Sequence, residues 1–187
     1  SGHVAEKVED QIREAQRMID AGCKEYVFIS NQLAKEDESE DVVKRRVEYL
    51  LNHIQADGFG IYECPYPYKR VLSAGLLRWL ALTGKFKFLK DTCCDVLQLK
   101  AKADAVRGTG LKIYNANGAT LLQSLKDGCA GYSGVMANFY PDLISYLVKN
   151  FEDDSEIIDE LMDFIGAAST IEYQCYPVNA KYYLQLE

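Results

Sequence analysis

A lysine stands at the end of an apolar run in the stretch FKFLKD, which begins at Phe86. An amine held among apolar walls has its charged form disfavoured, so its pKa falls and its lone pair is free to attack a carbonyl carbon. Lys90 is therefore a candidate nucleophile for Schiff-base chemistry. The competing interpretation is a strand-end lysine whose amine extends into water, and an isolated lysine would be interpreted in that way.

A tyrosine holds the equivalent position in the preceding apolar run, GFGIYEC, which begins at Gly58. Side chains alternate across a strand, so Tyr62 shares a face with Gly60, and it can meet Lys90 above the sheet. A phenol beside an imine-forming lysine can move protons between the bound carbonyl, water and a departing alcohol. An aromatic core residue is an equally good interpretation of Tyr62 from spacing alone.

The elements that must position this pair alternate along the chain. Five predicted strands, at 24–30, 58–64, 86–92, 111–116 and 131–138, are separated by amphipathic helices and recur roughly every 20 to 35 residues, the size of a βα unit. No hairpin turn joins two of them, which indicates a parallel sheet. Alternation within the third strand predicts that Phe86, Phe88 and Lys90 share one face and that Leu89 and Asp91 share the other.

Either a TIM-type barrel or an open doubly wound sheet fits this order of elements. No GxGxxG or GxxxxGK[ST] motif follows the first strand, so the nucleotide-binding forms of the open sheet are disfavoured. The small turns NANG and GYSG follow the last two strands, where a barrel often binds phosphate or carboxylate.

Composition excludes several classes of protein. No tract approaches the roughly 18 consecutive apolar residues of a membrane span. The 28 acidic and 21 basic side chains give a net charge of −7, which disfavours nucleic acid and anionic membranes as partners. No signal peptide is visible at the N-terminus, so we expect a soluble, cytoplasmic protein.

The cysteines and histidines indicate neither a disulfide framework nor a metal site. Six cysteines occur, several of them inside apolar runs. The adjacent Cys93 and Cys94 suit neither a CxxC redox pair nor a zinc knuckle, and the two histidines, His3 and His53, add few ligands. We expect no metal and no cofactor.

At these residues the chain resembles the dihydrodipicolinate synthase / N-acetylneuraminate lyase family of class I aldolases. The family's tyrosine motif YNxP is matched by YECP at 62–65, and its Schiff-base lysine by Lys90 in FLKDT. The family's final strand is similar to GCAGYSGVMANFYP at 128–141, and YPVNAKYYL resembles the segment that opens its closing helices.

The resemblance implies an α/β fold, a TIM (β/α)8 barrel of which residues 1–140 carry about strands 4–8. Residues 141–187 would begin a helical C-terminal extension. Five strands cannot close an eight-stranded barrel, so we expect the natural polypeptide to be longer at both ends. Relatives are commonly tetramers in which a neighbour completes the site, so the resemblance also implies a homo-oligomer, a dimer or a tetramer.

The resemblance further implies a lyase. Lys90 would form an imine with pyruvate or another 2-oxo acid, and a carbon–carbon bond one position away would form or break through an enamine. Tyr62 would be the general acid/base, and Ser133, Gly134 and Asn117 lie where relatives recognise substrate. The expected partners are a 2-oxo acid and an aldehyde, with a keto-deoxy sugar acid as the type of aldol compound.

The chain departs from the family at the groups that bind substrate carboxylates. The loop that carries the family's threonine pair has no counterpart, and Pro67 stands where lysine-biosynthesis members have an arginine, with Lys69 and Arg70 nearby. Dihydrodipicolinate synthesis itself is therefore disfavoured. Two alternatives stay open: a catalytically impaired 2-oxo-acid-binding protein of the same fold, and an unrelated phosphosugar barrel enzyme that binds phosphate at NANG and GYSG.

Overall fold

The fold is built on one parallel five-stranded sheet whose strands lie side by side in chain order. The structure is a computed structural model that describes residues 5–153 and 155–186, so His3 lies outside it. A doubly wound sheet reverses its strand order at a switch point, whereas a barrel adds each strand beside the previous one. The sheet is thus an arc of a (β/α)8-type barrel. Its strands are β1 (Glu25–Ile29), β2 (Gly58–Tyr62), β3 (Phe86–Asp91), β4 (Lys112–Asn115) and β5 (Gly131–Tyr132).

Helices fill every connection between the strands, and further helices follow the last strand. The predicted alternation is confirmed, while α2 and the 3-10 segments were not predicted. None of the helices in the described part of the chain is long and apolar enough to cross a membrane. The α-helices are α1 (Val8–Asp20), α2 (Ser30–Leu33), α3 (Glu40–His53), α4 (Ala74–Leu82), α5 (Val96–Val106), α6 (Leu121–Lys126), α7 (Pro141–Asn150), α8 (Glu156–Ala168) and α9 (Val178–Leu186), and the 3-10 segments are Gly118–Thr120, Val135–Asn138 and Ser169–Tyr173.

The main core lies between the sheet and the helices. Phe28 and Phe59 stack with ring centroids 5.3 Å apart, and Phe86 lies 6.0 Å from both rings. Apolar residues of α3 and α4 belong to the same buried cluster as these rings, because the helical spacing of their valines and leucines places them on one stripe. Aromatic pairs in such offset or tilted arrangements add to the free energy of burial.

A bulge in β3 overturns the predicted face of Phe86. The register runs from Phe59 opposite Phe86 directly to Gly60 opposite Phe88, so Lys87 is an extra residue in β3. An extra residue in one strand shifts the alternation by one position. Phe86 therefore enters the main core on the same side as Leu89, while Phe88 and Lys90 face the concave side.

The fifth strand is shorter than predicted. Only Gly131 and Tyr132 pair with β4, and the chain then turns into the 3-10 segment Val135–Asn138. Met136 and Phe139 are buried in a second core, which pulls the backbone out of the sheet. The reason is the spacing of these two apolar residues, which suits a helical turn rather than a strand.

The second core joins α6 to the C-terminal helices. Leu125 of α6 lies in one cluster with Leu147 of α7 and Ile165 of α8. The cluster therefore includes residues on both sides of position 140, and it fixes the end of α8 beside the last two strands. The division of the chain into 1–140 and 141–187 stays a prediction.

Candidate functional site

Tyr62 and Lys90 meet at the carboxyl edge of the sheet. They are direct register partners on β2 and β3, and the Nζ of Lys90 lies 4.6 Å from the centroid of the Tyr62 ring. Both side chains are half-buried and line the concave face. The structure thus brings together the two residues that the sequence places at equivalent strand ends.

The environment of Lys90 favours a neutral amine. Burial lowers the pKa of Lys90 below its ordinary value, and the nearby Cys64 and Glu172 act in the opposite direction. Desolvation is the larger effect, so a greater fraction of this amine is uncharged at a given pH than of a solvent-exposed lysine. This state is the one that attacks a carbonyl carbon.

The phenol of Tyr62 is kept protonated. Burial, together with a smaller effect of the nearby Cys64, raises the pKa of Tyr62 to about 12. The contact with Lys90 runs through the face of the ring, within the distance at which a cation and an aromatic ring attract. The hydroxyl is therefore available to donate its proton to a bound oxygen atom.

A cavity of about 500 Å³ opens at this edge of the sheet. Four of the five predicted site residues line it: Tyr62, Lys90, Asn117 and Gly134. Ser133 lies instead on the adjoining concave face of the sheet, together with Tyr62 and Lys90. A cavity of this size accommodates a small metabolite.

Asn117 is held by its own turn. Its side-chain Oδ1 accepts a hydrogen bond from the backbone N–H of Ala119 at 2.9 Å, and its backbone N–H donates to Oδ1 of Asn115 at 2.8 Å. Asn115 is itself buried and donates to the hydroxyls of Thr120 and Ser124. The turn is thus rigid, and the Nδ2 amide of Asn117 is the group that can donate to a ligand.

Gly134 lies against the neighbouring turn. A Cβ atom built on it would stand 2.3 Å from the carbonyl oxygen of Ala116 and 2.3 Å from the hydroxyl of Tyr132. The backbone N–H of the preceding Ser133 also donates to the carbonyl of Asn115, at 2.8 Å. Only glycine permits this close approach of the two turns.

We expect Gly134→Ala to destabilise the fold and to distort this wall of the cavity. The added methyl group must displace backbone, so the free energy of unfolding should fall by about 1–3 kcal/mol. Urea denaturation measures this change. Gly110→Ala is the matched control, since a Cβ atom there meets nothing within 4 Å. Equal stability of the two variants would contradict the conclusion that the close approach of the two turns requires glycine at position 134.

Glu172 was missed by the sequence analysis and faces the same cavity. It belongs to the 3-10 segment after α8, and its buried Oε1 has no hydrogen-bond partner within the described residues. Burial raises the pKa of the Glu172 carboxyl, while Lys90 and a hydrogen bond from Tyr132 lower it. The motif YPVNAKYYL begins four positions after Glu172, so this residue lies outside every motif of the sequence analysis.

The structure distinguishes the two cations that follow the tyrosine motif. Lys69 lines the cavity, and its Nζ donates to the carbonyl of Thr92 at 2.8 Å. Arg70 turns away and donates to the carbonyls of Lys35 and Glu38. Lys69 is therefore the cation of this pair that can reach a ligand in the cavity.

No cluster of three or more His, Cys, Asp or Glu side chains suited to a metal ion occurs in residues 5–153 and 155–186. The six cysteines are free thiols.

Comparison with known proteins identifies the fold. No family model and no curated protein matches the sequence. Among solved structures, a monomeric dihydrodipicolinate synthase variant matches with a TM-score of 0.85 at 13% identity, over 99% of this chain and 62% of that one. The chloride-inhibited dihydrodipicolinate synthase from Acinetobacter baumannii, solved with pyruvate, matches with 0.81 at 19% identity, over 98% and 62%. The 2-keto 3-deoxygluconate aldolase from Picrophilus torridus matches with 0.80 at 16% identity, over 97% and 65%.

These matches confirm the predicted fold class, part of the TIM barrel found in dihydrodipicolinate synthase family structures. The similarity covers nearly the whole of this chain, while the chain spans about 60% of the length of the structures it matches.

Proposed function

We propose that this chain is a lyase of the dihydrodipicolinate synthase / N-acetylneuraminate lyase family that forms a Schiff base between Lys90 and a 2-oxo acid. The observation that carries the proposal is the half-buried amine of Lys90 beside the Tyr62 ring in the cavity at the carboxyl edge of the sheet. In barrels of this class, active sites lie at this edge. A related fold has been solved with pyruvate, which supports a 2-oxo acid as substrate.

The reaction begins at the neutral amine of Lys90. Its lone pair attacks the 2-oxo carbon to give a carbinolamine, which loses water as the imine forms. The protonated imine draws electrons from the adjacent carbon. A base takes the proton of the hydroxyl on the leaving carbon as the next carbon–carbon bond breaks, which releases an aldehyde and leaves an enamine. Protonation of the enamine and hydrolysis of the resulting imine release the 2-oxo acid and free Lys90, and the reverse sequence forms the bond.

Tyr62 supplies the acid–base steps of this sequence. With a pKa raised to about 12, the phenol holds its proton until a developing oxyanion or a leaving hydroxide accepts it. We propose that Glu172, on the other wall of the cavity, holds the hydroxyl groups of a polyol aldehyde, because a carboxylate accepts hydrogen bonds and repels anions.

The carboxylate of the 2-oxo acid needs a cation or several donors. Lys69 and Asn117 lie on the cavity wall, and the backbone of Gly134 lines the same cavity. We propose that these groups bind the substrate carboxylate, with Ser133 on the side that faces the imine. A cytoplasmic location, a homo-oligomeric assembly and a keto-deoxy sugar acid substrate complete the proposal.

Reduction in the presence of pyruvate tests the proposal. Borohydride reduces an imine to a secondary amine, so the protein should gain the mass of one reduced pyruvate adduct on the peptide that contains Lys90. Peptide mass mapping locates the adduct. Absence of mass at Lys90, or equal labelling of exposed lysines such as Lys85, would overturn the Schiff-base assignment.

A second candidate function is reversible binding of a 2-oxo acid without turnover. The ammonium of Lys90 over the Tyr62 ring favours it, because a cation–aromatic contact stabilises the charged amine. A rise in the melting temperature with pyruvate, without any trapped adduct after reduction, would favour this function.

Geometry weighs against the phosphosugar alternative. A Cβ atom on Gly118 of the NANG turn would lie 2.5 Å from the hydroxyl of Ser169, and Gly134 of the GYSG turn is equally crowded. These glycines allow close contact between protein segments instead of leaving backbone N–H groups around an open anion site.

We expect Glu172→Gln to extend imine formation to lower pH. Glu172 raises the pKa of Lys90, so removing its charge lowers that pKa further. A lysine with a lower pKa keeps its neutral form down to a lower pH. The acid limb of the pH profile of the trapping rate should therefore shift to lower pH. Trapping by cyanoborohydride between pH 5 and 9 measures the shift.

Glu160→Gln provides the matched control, because this exposed carboxylate of α8 lies outside the cavity lining. An acid limb of Glu172→Gln that moves to higher pH would contradict the electrostatic coupling.

A further inference from the structure

A buried charged cluster lies behind the Tyr62–Lys90 pair. Lys102 of α5 is 1% exposed, and Glu63 and Asp91 are fully buried. The Nζ of Lys102 donates to Oε1 of Glu63 at 2.6 Å and also to Oδ2 of Asp91. One ammonium group therefore joins two carboxylates that come from neighbouring strands.

The two carboxylates occupy specific positions. Glu63 directly follows Tyr62, and Asp91 directly follows Lys90. Alternation sends adjacent side chains to opposite faces, so the cluster lies on the helix-facing side while the pair faces the cavity. The backbone N–H of Glu63 also donates to the carbonyl of Lys90 at 3.2 Å. Lys102 thus links the ends of β2 and β3 at the residues next to the pair.

Further hydrogen bonds complete the cluster. Oε1 of Glu63 also accepts from the backbone N–H of Leu72 at 2.9 Å, and Oε2 accepts from that of Thr92 at 3.0 Å. The Thr92 hydroxyl donates to the carbonyl of Glu63 at 2.6 Å. Oδ1 of Asp91 accepts from the backbone N–H of Cys93 at 2.9 Å. All four carboxylate oxygens are acceptors, which fits two ionised groups.

The charges in the cluster do not cancel, because two carboxylates share one ammonium. Burial disfavours the charged form of Lys102, but Glu63 and Asp91 outweigh it and raise the pKa of Lys102 above its ordinary value. Burial and the proximity of Asp91 raise the pKa of Glu63, against the pull of Lys102. A buried arrangement of this kind adds little stability compared with apolar residues of the same volume.

Such a cluster can instead fix the relative positions of the two strand ends that it joins. We propose that Lys102 is a positioning residue, which acts through Glu63 and Asp91 to hold Tyr62 and Lys90 at a fixed separation. The proposal rests on the proposed Schiff-base function of that pair. Fixed orientation matters for the reaction, since a displacement of about 1 Å can reduce a rate about 10²-fold.

Lys102→Met tests the proposal. We expect kcat for cleavage of a 2-oxo aldol compound to fall about 10²-fold, with KM changed less than about twofold, because Lys102 binds Glu63 and Asp91 and is not itself one of the proposed carboxylate-binding groups. The melting temperature should also fall by about 6–20 °C, since two like charges are left buried without their partner. All rates are compared at a temperature where the variant is folded.

A matched variant separates positioning from stability. Leu99→Ala removes a buried side chain from the same helix, and it should lower the melting temperature while leaving kcat within about twofold. Lys100→Met, at the adjacent but exposed position of the same helix, should change neither quantity. A similar loss of kcat in Leu99→Ala and Lys102→Met would overturn the positioning role.

A neutral triple variant covers the case in which Lys102→Met does not fold. Glu63→Gln, Asp91→Asn and Lys102→Met together remove every charge of the cluster and keep its size. We expect this protein to fold and still to lose kcat. Wild-type kcat in the folded triple variant would overturn the proposal.

A second readout does not depend on lyase activity. Formaldehyde with cyanoborohydride methylates neutral lysine amines, and peptide mass mapping gives the methylation rate of Lys90 at each pH. If pyruvate is not trapped by the wild-type protein, the proposed function fails, yet the methylation profile still tests positioning. A profile for Lys90 that differs between wild type and the triple variant, but not between wild type and Leu99→Ala, supports the proposal, and identical profiles overturn it.

Discussion

Lys90→Met should abolish cleavage of 2-oxo aldol compounds, with a loss in kcat on the order of 10⁴ to 10⁶, as when a covalent nucleophile is removed from other enzymes. Methionine keeps the length and apolar contacts of the lysine stem but cannot attack a carbonyl. The half-buried side chain should therefore be replaced without a large loss of stability. Turnover and borohydride trapping with pyruvate measure the two consequences of the change.

Lys87→Met is the matched control, because Lys87 lies on the same strand, is exposed and stands at the bulge of β3. Its activity should match that of the wild-type protein. A Lys90→Met protein that retains more than about one-tenth of the wild-type kcat would rule out the imine mechanism.

The placement of the Tyr62–Lys90 pair could be predicted because it depends only on local rules. Two apolar runs of similar length end in a tyrosine and a lysine, and parallel neighbours end at the same edge. The structure places the two residues in direct register. Strand existence and parallel order follow from the same simple periodicity.

The bulge in β3 could not be predicted from that periodicity. Phe86, Phe88 and Leu89 are all apolar, so the run fits either phase of alternation. The choice depends on Phe28 and Phe59, which receive the Phe86 ring in the main core. A long-range contact therefore decides which face each residue takes.

The buried charges were equally hidden. Lys102 lies at helical spacing from Leu99 and Val106, on the stripe that α5 buries, but a lysine at such a position is ordinarily expected to extend its amine into water. Glu172 stands in a segment between two predicted helices. The environment of each residue is set by groups that are distant in the chain. These groups are Glu63 and Asp91 for Lys102, and Lys90 for Glu172.

Tyr62→Phe should reduce kcat by about 10²- to 10⁴-fold, the usual contribution of a positioned general acid or base. Phenylalanine keeps the ring beneath the ammonium of Lys90, so that contact and the fold should persist. Imine formation should slow, since loss of water from the carbinolamine needs a proton donor. Exchange of the C3 protons of pyruvate with deuterated solvent, followed by NMR, should slow as well.

The appropriate control for Tyr62→Phe is Tyr66→Phe, because Tyr66 lies on the loop that follows β2 and is 80% exposed. We expect its turnover and its exchange rate to equal those of the wild-type protein. If Tyr62→Phe keeps full turnover while Glu172→Gln loses it, the acid–base role belongs to Glu172, and the ring of Tyr62 serves only to hold the amine. Comparison of Tyr62→Phe with Glu172→Gln therefore decides which of these two side chains transfers protons to and from a bound 2-oxo acid.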